Sequence, residues 1–326
     1  MPFSSLPSSP LVPGISPVSI YYREQGEGVP LVFLHGGWGY EIYPFNRQID
    51  ALRERHRIII PDRSGYGRST HLVEDLPANF HYLAATETLS LLDSLQIERA
   101  VLWGHSDGAV IAAILGFTAP DRVSSLVLEA FHYYRLKPSS RHFFETLAYR
   151  PEGLGEELVE RFAREHGADY WRRLITTHAR AWLQIGADDA ANEPNRLDDA
   201  AAPHDVAGPF AVAAAASDAA IPNDAAGPID VSGPSGDPSV AATQPDIAAA
   251  DDLYAARLHE ITAPTLIIHG RLDPRTEPGE LDAIRHELPN AEMQILNEGT
   301  HSPHSESATA DLVTHVAGEF LNNIHR

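Results

Sequence analysis

Seven short apolar runs punctuate the chain: Val18–Arg23, Leu31–His35, Arg57–Pro61, Ala100–Trp103, Ser125–Glu129, Pro264–His269 and Glu292–Leu296. Each is bounded by turn residues and rich in Val, Ile or Leu, so each predicts a strand. Between them, apolar positions recur with helical spacing over Pro44–Glu54, Asn79–Leu95, Asp107–Ala119, Pro278–Leu288 and Ser305–Ile324. Strands alternating with helices predict an α/β fold: a mostly parallel, doubly wound sheet covered on both faces. In such a sheet the reactive groups gather at the carboxyl ends of the strands.

The alternation stops after Ala130 and resumes at Ile261, dividing the chain into a core (residues 18–130 and 261–326) and a long insertion. Residues 131–186 carry three helical patterns, around Ser140–Tyr149, Glu152–His166 and Asp169–Ile185, and predict a helical cap over the strand ends. Its aromatic residues, Phe143, Phe144, Phe162, Tyr170, Trp171 and Trp182, are expected to form the cap's own core. Residues 187–250 are Ala, Asp, Pro and Gly with few large apolar side chains. Such a segment buries too little surface to offset its ordering entropy and is expected to be disordered. Residues 1–17, rich in Ser and Pro, are expected to be a flexible leader.

Charge sharpens this division. Of the net charge of −21, thirteen acidic residues against one basic residue lie between Ala187 and Asp252, so about −12 belongs to the insert. An acidic chain is not expected to bind nucleic acid or an anionic membrane. No apolar run reaches the length of a membrane span, so a soluble protein is expected. The chain has no cysteine. That removes thiol catalysis and disulfides, and fits a reducing cytoplasm, the expected location.

One stretch carries chemistry. The apolar strand at Ala100 runs into Gly104-His-Ser-Asp-Gly108 and then into an apolar helix. This is G-x-S-x-G in the context of strand, sharp turn and helix, which lifts Ser106 to the tip of the sheet as a candidate nucleophile. Gly104 and Gly108 are needed where strand and helix backbones approach closely.

Four further motifs follow a family order: Leu31-Val-Phe-Leu-His-Gly-Gly-Trp-Gly39, Asp62-Arg-Ser-Gly-Tyr-Gly-Arg-Ser69, His269-Gly-Arg-Leu-Asp-Pro274 and Gly299-Thr-His-Ser-Pro-His304. With the elbow, the chain resembles an α/β-hydrolase-fold serine hydrolase with a helical cap, from about Ser19 to the end apart from the acidic insert. The resemblance implies a base after the last strand, His301, with His304 as its competitor. It implies an acid after the strand Pro264–His269, namely Asp273, with Glu129 at the end of the preceding strand as the alternative. It implies backbone N–H donors for an oxyanion from Asp107 and from Gly37 or Trp38. Asp62, Gly65 and Gly67 are expected to shape a loop.

Asp107 is unusual beside a nucleophile. It either favours the start of its helix or serves as counter-ion to a cationic substrate, as in the Gly-x-Ser-Asp-Gly elbow of the valacyclovir-hydrolase-like branch that it resembles. The expected function is cofactor-free hydrolysis of a small-molecule carboxylic ester, including an aminoacyl ester or amide, through an acyl-serine intermediate. The alternatives are carbon–carbon bond hydrolysis, lyase or perhydrolase chemistry on the same fold, or a ligand-binding homologue without turnover. No metal site is expected, since His301 and His304 at i and i+3 have no acid clustered around them.

Overall fold

The computed structural model describes residues 3–187 and 252–324. The expected disordered insert lies, from residue 188 on, outside the described residues. Eight strands form one sheet: β1 (Phe3–Leu6), β2 (Val18–Gln25), β3 (Val29–Leu34), β4 (His56–Pro61), β5 (Ala100–His105), β6 (Val123–Glu129), β7 (Thr265–Gly270) and β8 (Glu292–Leu296). Their order is β1-β2-β4-β3-β5-β6-β7-β8. β1 and β2 pair antiparallel, as do β2 and β4, and every later pairing is parallel.

Both faces of the parallel strands are buried, with alternate residues serving different layers. Val32 and Leu34 of β3, Leu102 of β5 and Leu126 and Leu128 of β6 pack into one apolar core with α2 (Phe80–Ser94) and α3 (Asp107–Thr118). Leu31 and Phe33, Val101 and Trp103, and Val127 face the other core, shared with α1 (Asn46–Leu52) and α8 (Ala310–Ile324). The two-residue period of a strand thus explains why these segments read as unbroken apolar runs rather than as alternating ones.

Two expectations are corrected. The leader is not frayed: Phe3–Leu6 pairs with β2 from Phe3↔Tyr21 to Leu6↔Val18, and Leu6, Leu11 and Val12 are buried. A strand of four residues, two of them serine, gives almost no periodic signal, yet it covers what would otherwise be an open sheet edge. The terminal helix starts at Ala310 rather than near Ser305. Glu306 turns its carboxylate back onto the preceding loop, accepting the N–H groups of Thr300 (2.9 Å) and Ser302 (3.0 Å), and this holds the loop out of the helix.

Between β6 and β7 the described residues contain α4 (Pro138–Tyr149), α5 (Glu156–His166) and α6 (Trp171–Ile185); α7 (Glu280–Glu287) follows β7. α4 packs along α6, and Phe144 stacks on Trp182 with ring centroids 5.4 Å apart. Phe162 stacks on Trp171 (5.7 Å) and meets Trp38, from the loop after β3, edge-on (5.5 Å). Among the described residues no helix is long and apolar enough to cross a membrane. The chain leaves β3 for β4 on one side and returns to β5 on the other. The switch of direction therefore opens a crevice between the ends of β3 and β5, where α/β sheets bind ligands.

Candidate active site

Ser106 stands at that crevice in a conformation that only a tightly built turn sustains, with φ 54° and ψ −119°. A left-handed non-glycine residue of this kind costs about 1–3 kcal/mol, offset by its surroundings. Its N–H donates to the Glu129 carbonyl (2.9 Å), and its own carbonyl accepts the N–H of Ala109 (2.8 Å). The flanking glycines are steric requirements. A Cβ on Gly104 would lie 2.1 Å from the Gly108 carbonyl oxygen, and one on Gly108 would lie 1.9 Å from that of Leu34.

The Ser106 hydroxyl lies 3.1 Å from His301 Nε2, and His301 Nδ1–H donates to Asp273 Oδ2 at 2.8 Å. The carboxylate fixes the proton on Nδ1, so Nε2 carries the lone pair that faces the serine. Asp273 Oδ1 accepts the N–H of Arg275 (2.9 Å), which locks the carboxylate's orientation. Burial would raise the Asp273 carboxyl, but the charge and hydrogen bond of His301, with His269 and His132 beyond, outweigh it and hold the group far below its ordinary range. His301 itself is lowered, first by burial and next by the charge of Arg275, against the pull of Asp273.

The two runners-up have found each other. Glu129 Oε1 accepts both the Nδ1–H of His304 (2.7 Å) and its backbone N–H (2.9 Å), and Oε2 accepts Trp103 Nε1–H (3.2 Å). His304 Nε2 faces the Tyr43 carbonyl at 3.0 Å. Both ring nitrogens of His304 thus face oxygen acceptors, and the ring pairs with Glu129 and stacks on Phe45 at 3.9 Å. Burial pushes the Glu129 carboxyl up, and His304 more than reverses this, leaving it lowered. Neither side chain hydrogen-bonds the Ser106 hydroxyl, whose partner is His301. Together they fasten the His301 loop to the end of β6. His105 Nε2–H adds a bond to the His301 carbonyl (2.9 Å) from a ring whose pKa burial lowers to about 3.

The candidate oxyanion donors come from two loops. The Asp107 N–H is at the first position of α3, where a helix offers it no acceptor. Across the crevice, Arg63 braces the loop bearing Gly37 and Trp38, donating to the carbonyls of His35 (2.5 Å) and Gly36 (3.2 Å). His166 of α5 completes the brace. Its Nδ1 accepts the N–H of Gly67 (3.0 Å), which leaves Nε2–H to donate to the Trp38 carbonyl (2.9 Å). Asp62 accepts the N–H of Arg68 (3.0 Å) and pairs with Arg23 (2.9 Å), so its contacts are those of a loop-former.

Of the two readings of Asp107, the helix start and the counter-ion, the second meets a side chain already engaged within the protein. Oδ1 accepts His81 Nε2–H and Trp182 Nε1–H, both at 3.0 Å, and Oδ2 accepts His178 Nε2–H at 2.5 Å. Both oxygens are thus engaged by three N–H groups, two of them from α6. The carboxyl sits well below its ordinary value because these partners outweigh the effect of burial. Asp107 ties the elbow to the inserted helices, and a substrate amine would have to displace a donor already in place. His81, His178, Trp182, His166 and Arg275 were not among the expected site residues. Only the apolar spacing around His178 and Trp182 signalled a buried helix face, and it says nothing about what that face meets. Phe143, Phe144 and Trp182, expected as cap core, line the cavity above Ser106 together with Trp38, His132 and Arg275.

Comparison with known proteins agrees with this architecture. A family model described as alpha/beta hydrolase fold matches residues 29–308. The chain is 27% identical over 311 residues to a pimeloyl-[acyl-carrier protein] methyl ester esterase of Aliivibrio salmonicida, covering 94% of this chain and 95% of that protein. Among solved structures, a hydrolase from Pseudomonas aeruginosa PA01 aligns with a TM-score of 0.61 at 18% identity over 98% of both chains. A thermophilic esterase from Thermogutta terrifontis aligns with a TM-score of 0.61 at 17% identity over 99% of both. With more than half its length matched by the family model, the chain belongs to the alpha/beta hydrolase fold family.

Proposed function

We propose that this hydrolase cleaves a small carboxylic ester through an acyl-Ser106 intermediate, with His301 as general base and acid and Asp273 as the orienting carboxylate. The observation that carries the reading is the unbroken hydrogen-bond chain from Ser106 Oγ through His301 to Asp273. As Ser106 Oγ attacks the ester carbonyl, its proton passes to His301 Nε2, and the imidazolium gains stability from Asp273. The carbonyl oxygen gathers negative charge facing the Asp107 N–H and an N–H of the Gly37-Trp38 loop. His301 then protonates the departing alcohol. Water, deprotonated by the same Nε2, releases the acid and restores Ser106. The esterase named among the relatives supports an ester rather than another acyl bond.

The test is hydrolysis of short-chain p-nitrophenyl esters with a fluorophosphonate probe in parallel. Ser106→Ala should abolish labelling, and both Ser106→Ala and His301→Ala should lower kcat/KM by about 10³-fold or more with folding intact. Full activity in EDTA is expected, because every step above uses only side chains, backbone N–H groups and water. Near-normal turnover by His301→Ala would defeat the assignment of the base.

A further inference from the structure

The cavity above Ser106 has one charged wall whose charge is unspent. Arg275, two residues beyond Asp273, lines it half-buried. Its guanidinium lies over the rings of Phe143 (4.3 Å) and Trp38 (5.3 Å). Among the described residues its side chain makes no ion pair and no hydrogen bond; only its backbone N–H and carbonyl are engaged, by Asp273 and Lys137. The nearby acids are committed elsewhere. Asp273 serves His301, Asp107 serves His81, His178 and Trp182, and Glu280 is paired with Lys137. Burial depresses the Arg275 guanidinium, yet arginine stays protonated in any protein.

A partly desolvated cation without an anion is costly to maintain. Lying over two rings and making no side-chain hydrogen bond among the described residues, the guanidinium leaves its N–H fork unused, the part that matches a carboxylate in bidentate fashion. Resting on the hydrolase reading above, we propose that Arg275 is the specificity residue of this site and binds a free carboxylate on the substrate. The preferred substrates are then half-esters of dicarboxylic acids, one carboxyl esterified at Ser106 and the other paired with Arg275. The aromatic walls formed by Phe143, Phe144 and Trp182 accommodate the methylene chain between them. This inverts the polarity suggested by Asp107, whose carboxylate is spent within the protein while the arginine's charge is not.

The experiment compares monomethyl glutarate with methyl pentanoate, in which a methyl group replaces the free carboxylate, by pH-stat at pH 8; monomethyl succinate and adipate bracket the chain length. In the wild type, kcat/KM for the best half-ester should exceed that of its neutral match by about tenfold or more, chiefly through KM. Arg275→Met should collapse that ratio to about one, and Arg275→Lys should retain part of it. Binding is read separately, as the rise in Tm of Ser106→Ala on adding monomethyl glutarate, lost in Ser106→Ala combined with Arg275→Met. A ratio of one in an active wild type overturns the carboxylate site and leaves the hydrolase standing. Half-ester binding by Ser106→Ala without turnover by wild type supports the site and overturns the hydrolase. A ratio that survives Arg275→Met shows recognition by another group and overturns the assignment.

Discussion

At the scale of single residues, the arrangement around His301 predicts a pH profile. As the proposed general base, His301 must be neutral to accept the serine proton, and burial together with Arg275 lowers its imidazole. A lowered histidine sheds its proton at lower pH. The rise in kcat/KM should therefore have its midpoint below the reference value of about 6.5 and be complete by neutrality. Arg275→Met removes one of the charges that lower His301, so its midpoint should move upward; a profile that stays put in the variant would mean the two charges do not communicate. The proposed trio Ser106, Asp273 and His301, which the fold brings together, could be picked out in sequence because each closes a strand or stands in the loop after it, and strand ends can be read from apolar runs. Their competitors could be ranked lower but not excluded from sequence, since Glu129 closes the preceding strand and His304 shares the loop of His301. What separates them is the mutual pairing of Glu129 with His304 at 2.7 Å. Losing one member of such a buried pair costs about 3–5 kcal/mol, so Glu129→Ala should lower Tm sharply while the fluorophosphonate probe still labels the folded fraction. Arg275 carried no signal at all, because its meaning depends on Phe143, 132 positions earlier in the chain, arriving above it.

At the scale of elements, the parallel strands and their flanking helices were readable, whereas elements whose stability is borrowed were not. β1 owes its existence to β2 and to the core beneath Leu6, neither of which is local to Phe3–Leu6. Leu6→Ala should cost about 2–5 kcal/mol, as for any fully buried leucine, and would be seen as a fall in denaturant midpoint; an effect near zero would restore the frayed leader. The contact between α5 and the loop bearing Gly37 and Trp38, the proposed oxyanion loop, is similarly non-local. His166 is a neutral ring, its pKa lowered to about 4 by burial, wedged between the Gly67 N–H and the Trp38 carbonyl. His166→Ala should loosen the Trp38 peptide and lower kcat more than it raises KM, because the donors of that loop matter most when the oxyanion forms. A change confined to KM would place His166 in substrate binding instead.

At the scale of the whole molecule, opposed titrations set the stability curve. Asp107, Asp273 and Glu129 are all held below their ordinary values by buried histidines, so the folded state resists protonating them more than the unfolded chain does. That stability is complete above the unfolded carboxylate values near 4 and drains away as the pH falls through and below them. Glu165 runs the other way. Buried between Glu41 and His166, with Oε1 accepting the Glu41 N–H (3.0 Å) and Oε2, 3.7 Å from His166 Nε2, making no hydrogen bond among the described residues, its carboxyl is pushed up to about 8. Between the unfolded value of 4.5 and about 8, the folded state holds a proton that the unfolded state releases, so stability falls as pH rises across that window and levels off above it. Glutamine keeps the acceptor for Glu41 and cannot ionise. Glu165→Gln should therefore leave Tm close to wild type at pH 5 and raise it increasingly through pH 8, by a few kcal/mol at most in stability. Thermal melts of both proteins from pH 5 to 9 decide the point: a Tm difference that does not grow with pH would mean that Glu165 ionises in the folded protein as it does in water.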